Sequence, residues 1–370
     1  YSYLKTSAEM QSNYNSGYTA GETAGYTSGY SAGEAAGGAA VATSQQSVAS
    51  DYKNLLSGVD QTIAAADATT LAGQLSIFSE SYQYLNTGGG TDWHCDDPLC
   101  FEKTGSTNNL ITIDTTRLAG AEISTDKVTW TPMPYNTAYQ QALDSNNPKF
   151  YIRCKICCRT SVTATNETTV FQGSTSGGIA ISGDLRSLCE LNRGELTVEY
   201  EMLNLFKGNT AIEDASGLKF PSNVTRRCYQ NLFQNCNKLI YSQSTLPATT
   251  LASYCYSYMF DGCTSLTTAP TLPATTLDQY CYMRMFRNCT SLTAAPDLPA
   301  ETLETNCYHD MFYSCTSLHS ITVGATSWDT NYTTDWVRSV PVSGTFTKPT
   351  GTSIPTGTSG IPSGWTVVDV

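Results

Sequence analysis

The sequence predicts a mixed α and β chain: an N-terminal helical oligomeric stalk, a small β domain, and then a solenoid of about five 26–27-residue coils. Three observations carry this reading. Glycine recurs at every fourth residue from Gly17 to Gly37, short alternating apolar runs follow residue 91, and one phrase is written three times between Leu246 and Leu318.

Residues 1–40 hold the glycine stripe, interleaved with Tyr18, Tyr26 and Tyr30. A period of four suits a helix face better than a strand. Each glycine costs a helix roughly 1 kcal/mol relative to alanine, so the stripe predicts a helical anchor packed closely on copies of itself or on a socket protein. The alternative is a Gly/Ser/Tyr linker without fixed structure. In residues 41–90 apolar side chains fall at Val48, Tyr52, Leu55 and Val59, then at Leu71, Leu75, Phe78, Tyr82 and Leu85. Steps of three and four predict a coiled-coil-like seam with a register break. The second run fits an amphipathic helix docking on its own domain equally well, but two runs after a glycine stripe favour a parallel homo-oligomeric stalk, with a homotrimer as the expected copy number. Gly88-Gly89-Gly90 ends it as a hinge.

Residues 91–193 predict the β domain. Leu110–Asp114, Phe150–Arg159 and Ile179–Ser182 alternate or run apolar over strand lengths. In the middle run Ile152, Cys154, Ile156 and Cys158 are expected on one face, with Tyr151, Arg153, Lys155 and Arg159 opposite.

Residues 194–323 are the repeats. Pro247, Pro273 and Pro299 are 26 residues apart, and Cys228, Phe233, Cys236 and Leu239 form a more degenerate copy 27 residues before Cys255, Phe260, Cys263 and Leu266. A fifth, fainter copy carries Phe206, Asn209 and Ile212, with asparagine where later copies have cysteine. The residues that recur are expected to face inward and stack on their equivalents. This core ladder comprises Cys228, Cys236, Cys255, Cys263, Cys281, Cys289, Cys307 and Cys315, with Phe233, Phe260, Phe286 and Phe312. Residues 324–370 follow as a C-terminal cap or tail.

The spacing proline, leucine, cysteine, Phe-x-x-Cys-x-x-Leu resembles the BspA-like leucine-rich repeat, with Met259-Phe260 where that family has Ala-Phe and Cys255 where it usually has isoleucine. The resemblance implies a curved leucine-rich-repeat solenoid with one short strand per coil, and a role at cell or virus surfaces. The ending from Gly344 through Trp365 is similar to tails that follow such repeats in proteins of gut Bacteroides and their phages.

The cysteines read as packing. A small apolar side chain in a stacked core accounts for the eight repeat positions, with disulfides between coils as the alternative. Cys154, Cys157 and Cys158, and His94 with Cys95 and Cys100, have the spacing of zinc ligands, but strand alternation and a loop with a local disulfide explain them better. Four sequons, at Asn166, Asn223, Asn288 and Asn331, are read as chance. No metal or cofactor is expected.

Catalysis finds no motif: there is no Gly-x-Ser-x-Gly, phosphate loop, dinucleotide fingerprint or His-Glu-x-x-His, and the three histidines stand at 94, 309 and 319. A net charge of −12 excludes a phosphate-tracking nucleic-acid binder, and no run of 18 apolar residues predicts a membrane span. An adhesive, non-enzymatic protein remains. The expected identity is a phage head or tail fibre on the virion surface, joined to a capsid or tail protein through residues 1–40. A bacterial or protist surface adhesin is the alternative and a surface glycosidase a weaker one. The positions that vary between copies, Tyr258, Asp261, Arg284, Arg287, His309, Asp310 and Tyr313, are the candidate binding residues. Flat phenol rings and hydrogen-bonding charges without a deep apolar pocket suit a host surface glycan or protein.

Overall fold

The computed structural model describes residues 97–115, 118, 121–134, 138–154, 169–173, 177–188, 202–242 and 245–370. They belong to one compact unit, Asp92–Val370. The mixed α and β class is overturned. The described residues form twelve strands and one 3-10 turn of helix at Leu185–Leu188, with no α-helix among them. The helical stalk was expected in residues 1–90, which lie outside the described residues, as do His94, Cys95, Cys157 and Cys158.

A six-stranded sheet runs in the order β4 (Thr131–Pro132), β3 (Ala121–Ser124), β6 (Lys149–Cys154), β1 (Leu99–Lys103), β8 (Ile179–Asp184), β9 (Ile212–Lys219). A three-stranded sheet has the order β5 (Ala138–Leu143), β2 (Asn109–Asp114), β7 (Phe171–Gly173). Alternation fixes the register. Ile111 and Ile113 of β2 are fully buried while Leu110 is exposed, and Phe101 of β1 packs against Phe150 and Phe171 at centroid distances of 4.9 and 5.0 Å. The predicted outward face of β6 is half covered. Tyr151 is buried, with the Lys127 ammonium 4.7 Å from its ring centroid, and Arg153 lies 4.0 Å from the Trp130 ring while pairing with Glu122 at 2.8 Å. The turn after β3 therefore folds back over a strand face that alternation alone leaves open. Cys100 is a free, buried thiol, not half of a local disulfide.

β8 and β9 pair in parallel, and this pairing joins the sheet to the repeats. Beyond it the coils do not form the one strand per coil that the family resemblance implies; adjacent coils share only isolated bridges such as Thr245 with Thr271 and Thr250 with Thr276. They are built from consecutive turns. From Cys255 to Cys263 the backbone N–H groups alternate: Cys255, Ser257, Met259, Asp261 and Cys263 donate to the carbonyl three residues earlier. Tyr256, Tyr258, Phe260 and Gly262 donate to Cys281, Met283, Met285 and Arg287 of the next coil. Every backbone donor in this stretch thus has a partner, as burial demands.

The winding has a period of four, two residues in and two out. Its mark is a left-handed residue at every fourth position: Tyr254 (φ 58°), Tyr258 (φ 56°) and Gly262 (φ 77°), then Tyr280, Arg284 and Asn288, then Asn306, Asp310 and Ser314. An L-residue in this conformation costs on the order of 1–2 kcal/mol, and asparagine or glycine costs less. Asn204, Asn231, Asn235, Gly262, Asn288 and Asn306 follow that preference; the tyrosines and arginines at the equivalent positions do not. The bonds between coils hold them there.

The inward pairs stack. Phe206, Phe233, Phe260, Phe286 and Phe312 form a column with centroids 5.4 to 5.6 Å apart and planes within 10°. Tyr229, Tyr256, Tyr282 and Tyr308 form a second. Phe171 of β7 is 5.6 Å from Phe206, so the first column starts inside the β domain. Both columns end on Trp336, fully buried, 6.0 Å from Tyr308 and 5.9 Å from Phe312. The winding runs past Val323, for Asp310 and Ser314 donate to Thr334 and Arg338, and Asp335 and Ser339 are again left-handed. Three parallel strands, β10 (Ser320–Thr322), β11 (Thr345–Lys348) and β12 (Thr366–Asp369), close the C-terminal end.

All eight repeat cysteines are free and buried. The second of each pair has a directional role: Cys236, Cys263, Cys289 and Cys315 place Sγ 3.0 to 3.1 Å from the carbonyl oxygens of Phe206, Phe233, Phe260 and Phe286 in the preceding coil. Asn209 does the same where cysteine is missing, donating its amide to Phe171 O at 3.0 Å and accepting from Ala211 N at 3.0 Å. The layer beneath it is a strand and not another coil, and a longer side chain bridges to it.

Three outcomes are expected. Asn209→Ala should lower the free energy of unfolding by about 1–3 kcal/mol in denaturant titrations, because Asn209 is fully buried and the amide and carbonyl it serves are left without it. Burial pushes the Cys281 thiol well above its ordinary 9.0 and Cys236 up to about 12. The unfolded chain then releases these protons first, so the thiols should leave stability unchanged below pH 9 and lower it as pH rises toward about 12. Cys281→Ala should cost about 1–2 kcal/mol at neutral pH and flatten that alkaline fall.

Candidate functional site

The outward pairs of the winding form a face of stacked columns. The period of four sets which residues reach it, and the spacing of 26 sets which of them meet. All seven candidate binding residues lie here, and six of them join in one network across three coils. Tyr258, Arg284 and Asp310 occupy one column; Arg284 donates from Nε to Asp310 at 2.8 Å and from Nη1 to the Tyr258 hydroxyl at 2.7 Å. Asp261, Arg287 and Tyr313 occupy the next outward column. Arg287 grips Asp261 with two bonds, at 2.9 and 2.7 Å, and its guanidinium lies 5.8 Å from the Tyr258 ring centroid, with that of Arg284 at 5.4 Å. His309 places Nε2 3.4 Å from Asp310. Tyr313 is drawn into a neighbouring contact instead, under the guanidinium of Arg338 at 5.7 Å.

The electrostatics make this a fixed surface. Asp261 is 3% exposed at its side chain and also accepts from Gln234 at 2.9 Å and Asn288 at 3.4 Å, so the carboxylate is fully solvated by protein donors. Its hydrogen bond to Arg287 holds that guanidinium above its ordinary pKa against the opposing effect of burial. A buried pair of this kind keeps its geometry because removing either partner strands a charge. Both carboxylates of this network, Asp261 and Asp310, are committed to arginines, an arrangement suited to holding shape and unsuited to proton transfer.

A third column was missed by sequence reasoning, although the position before each first cysteine carries it. Arg227, Tyr254, Tyr280 and Asn306 fill that slot. The Arg227 guanidinium lies 4.7 Å above Tyr254, and Tyr254 stacks on Tyr280 at 4.5 Å with planes 8° apart. Partial burial, then the neighbouring Tyr280, raise the Tyr254 phenol pKa. Trp328 and Trp365 point their indole N–H groups to Ser359 O and Pro341 O at 2.9 and 2.8 Å, and with Trp336 belong to the cap's own packing.

Among the described residues no group of three His, Cys, Asp or Glu is placed to hold a metal ion, and no helix is long and apolar enough to cross a membrane. A shallow groove of about 180 Å³ is lined by Thr267, Thr268, Ala269, Thr293, Ala294, Ala295 and Pro296, none of which titrates near neutral pH. Comparison with family models, with curated proteins and with solved structures finds no match.

Arg287→Ala should cost about 3–5 kcal/mol, out of proportion to its partial exposure, because Asp261 is left buried and unpaired. Thermal unfolding followed by circular dichroism checks this, and the Arg287→Ala, Asp261→Ala double variant should recover part of the loss.

Proposed function

We propose that this chain is an adhesive, non-enzymatic fibre or spike protein of a phage virion, whose repeat face attaches to a glycan or protein of the bacterial surface. The observation that supports it most is the outward face itself. Tyrosines, arginines and a histidine stand in register on a scaffold whose backbone bonds run from coil to coil, so the face is organised before any ligand arrives and little ordering cost falls on binding. The resemblance of the repeat and tail sequences to proteins of gut Bacteroides and their phages supplies the setting. Anchoring to a capsid or tail protein through residues 1–40, and assembly as a homotrimer, belong to the same proposal and rest on sequence alone.

A cell-surface adhesin of bacterial or protist origin would use the same face; the class of cell it adheres to separates the two readings. The committed carboxylates of the face disfavour a glycosidase that works there.

The fluorescently labelled full-length chain should attach to intact cells of a panel of gut Bacteroides strains. Changing Tyr258, Arg284 and Tyr313 together to alanine should reduce attachment by at least about tenfold, the loss expected for one to two kcal/mol, with an unchanged circular dichroism spectrum. Arg287 is left in place to keep Asp261 paired; removing Arg284 unpairs Asp310, so attachment is compared well below the melting temperature of the variant. Attachment that survives the triple change moves the contact off this face, and failure to attach to any strain refutes the reading.

A further inference from the structure

The stacked column beside the polar network is interrupted. Each coil extends it by one flat group: the Arg227 guanidinium at 4.7 Å, the Tyr254 ring, then the Tyr280 ring at 4.5 Å. Tyr254 is therefore covered on both faces. Tyr280 is covered on one, because the next slot in the column holds Asn306, too short to continue the stack. The coil beneath is in place, since Tyr280 N donates to Thr305 O at 2.9 Å and Arg284 N to His309 O at 2.9 Å. Among the described residues no ring or guanidinium lies on the second face of Tyr280, and the amide of Asn306 makes no hydrogen bond. The geometry points to an open rung: one tyrosine face floored by a free amide.

We propose that Tyr280 and Asn306 form a subsite for a neutral pyranose, which rests on the adhesive reading above and names its ligand class. A pyranose presents a patch of axial C–H groups to a ring and hydroxyls at its rim, so it fits where one flat group is missing and an amide can both donate and accept. The surrounding charge decides against an acidic sugar. Asp278 precedes Tyr280 by two residues, Glu304 precedes Asn306 by two, and the arginines of the neighbouring column are tied to Asp261 and Asp310. With both of these arginines already paired, neither offers a carboxylated or sulfated sugar a free cation, whereas a neutral sugar needs none.

The column supplies its own test. Asn306 is left-handed at φ 53°, the conformation that Tyr254 and Tyr280 adopt at φ 58° and 59°, so Asn306→Tyr can be accommodated by the backbone and should complete the stack. Saturation-transfer NMR on the full-length chain, with methyl β-galactopyranoside and methyl β-glucopyranoside as probes at about 10 mM, a range suited to weak single-sugar affinities, should show transfer to the ring protons of at least one. Tyr280→Phe should retain it, while Asn306→Tyr and Tyr280→Ala should weaken it by about tenfold or more. Asn306→Tyr should melt no lower than the parent chain, which separates a blocked subsite from a damaged fold. The proposal is overturned if neither glycoside receives saturation, or if Asn306→Tyr binds as the parent does. Cell attachment that persists in Asn306→Tyr but is lost in the Tyr258, Arg284 and Tyr313 triple variant would remove this subsite and leave the adhesive reading standing.

Discussion

The structure of the repeats depends on how a buried coil satisfies its backbone without a helix or a continuous strand. Alternate N–H groups turn back on their own coil and the others reach the next one, and the two sets mesh only if every fourth residue is left-handed. That conformation is unfavourable for most of the residues that adopt it, so the winding is stable only as a stack. Stacking in turn brings equivalent side chains into contact at 5 to 6 Å, where aromatic rings gain from parallel, offset packing. The phenylalanine column and the left-handed positions are two sides of one constraint, and a single coil taken alone would have neither.

This explains what the sequence made legible. A column requires like residues at a fixed spacing, so Cys255, Cys281 and Cys307, or Phe260, Phe286 and Phe312, announce both the period and the inward face. The conformation between them was hidden where tyrosine, arginine and aspartate argue locally against a left-handed backbone; Asn204, Asn231, Asn235, Gly262, Asn288 and Asn306 hinted at it. The next coil overrides local preference, and its effect is visible only once the coils are stacked. The extension of the winding past Val323 was hidden for a different reason. Trp336 fills the space at the end of two columns at once, so the repeat pattern dissolves while the geometry persists.

The candidate site was partly legible in the same way. Variation among otherwise invariant copies marked Tyr258, Arg284 and Arg287 as outward. It did not reveal that Asp261 lies beneath an arginine from the next coil, since an ion pair across 26 residues has no signature within a single copy. The column of Arg227, Tyr254 and Tyr280 escaped because two tyrosines in succession look like conserved core. In the β domain, Tyr151 was placed on the open face by alternation, and the Lys127 turn that covers it cannot be read from strand periodicity.

The bonding between coils has a consequence for how such a chain can change length. Residues 272–297 span one whole period, so a coding segment of that size, lost or duplicated by recombination between the near-identical stretches, joins Thr271 to Leu298 or Asp297 to Leu272 in the same register. Each inward column becomes one rung shorter or longer, and both ends keep their own seals, Asn209 against the sheet and Trp336 against the cap; the outward ion pairs between Arg284 or Arg287 and the flanking coils must be re-made. Only the outward residues need differ between the inserted copies. The reach of the face and its chemistry can therefore be altered separately, the first by counting coils and the second by point substitution at outward positions that hold no buried ion pair.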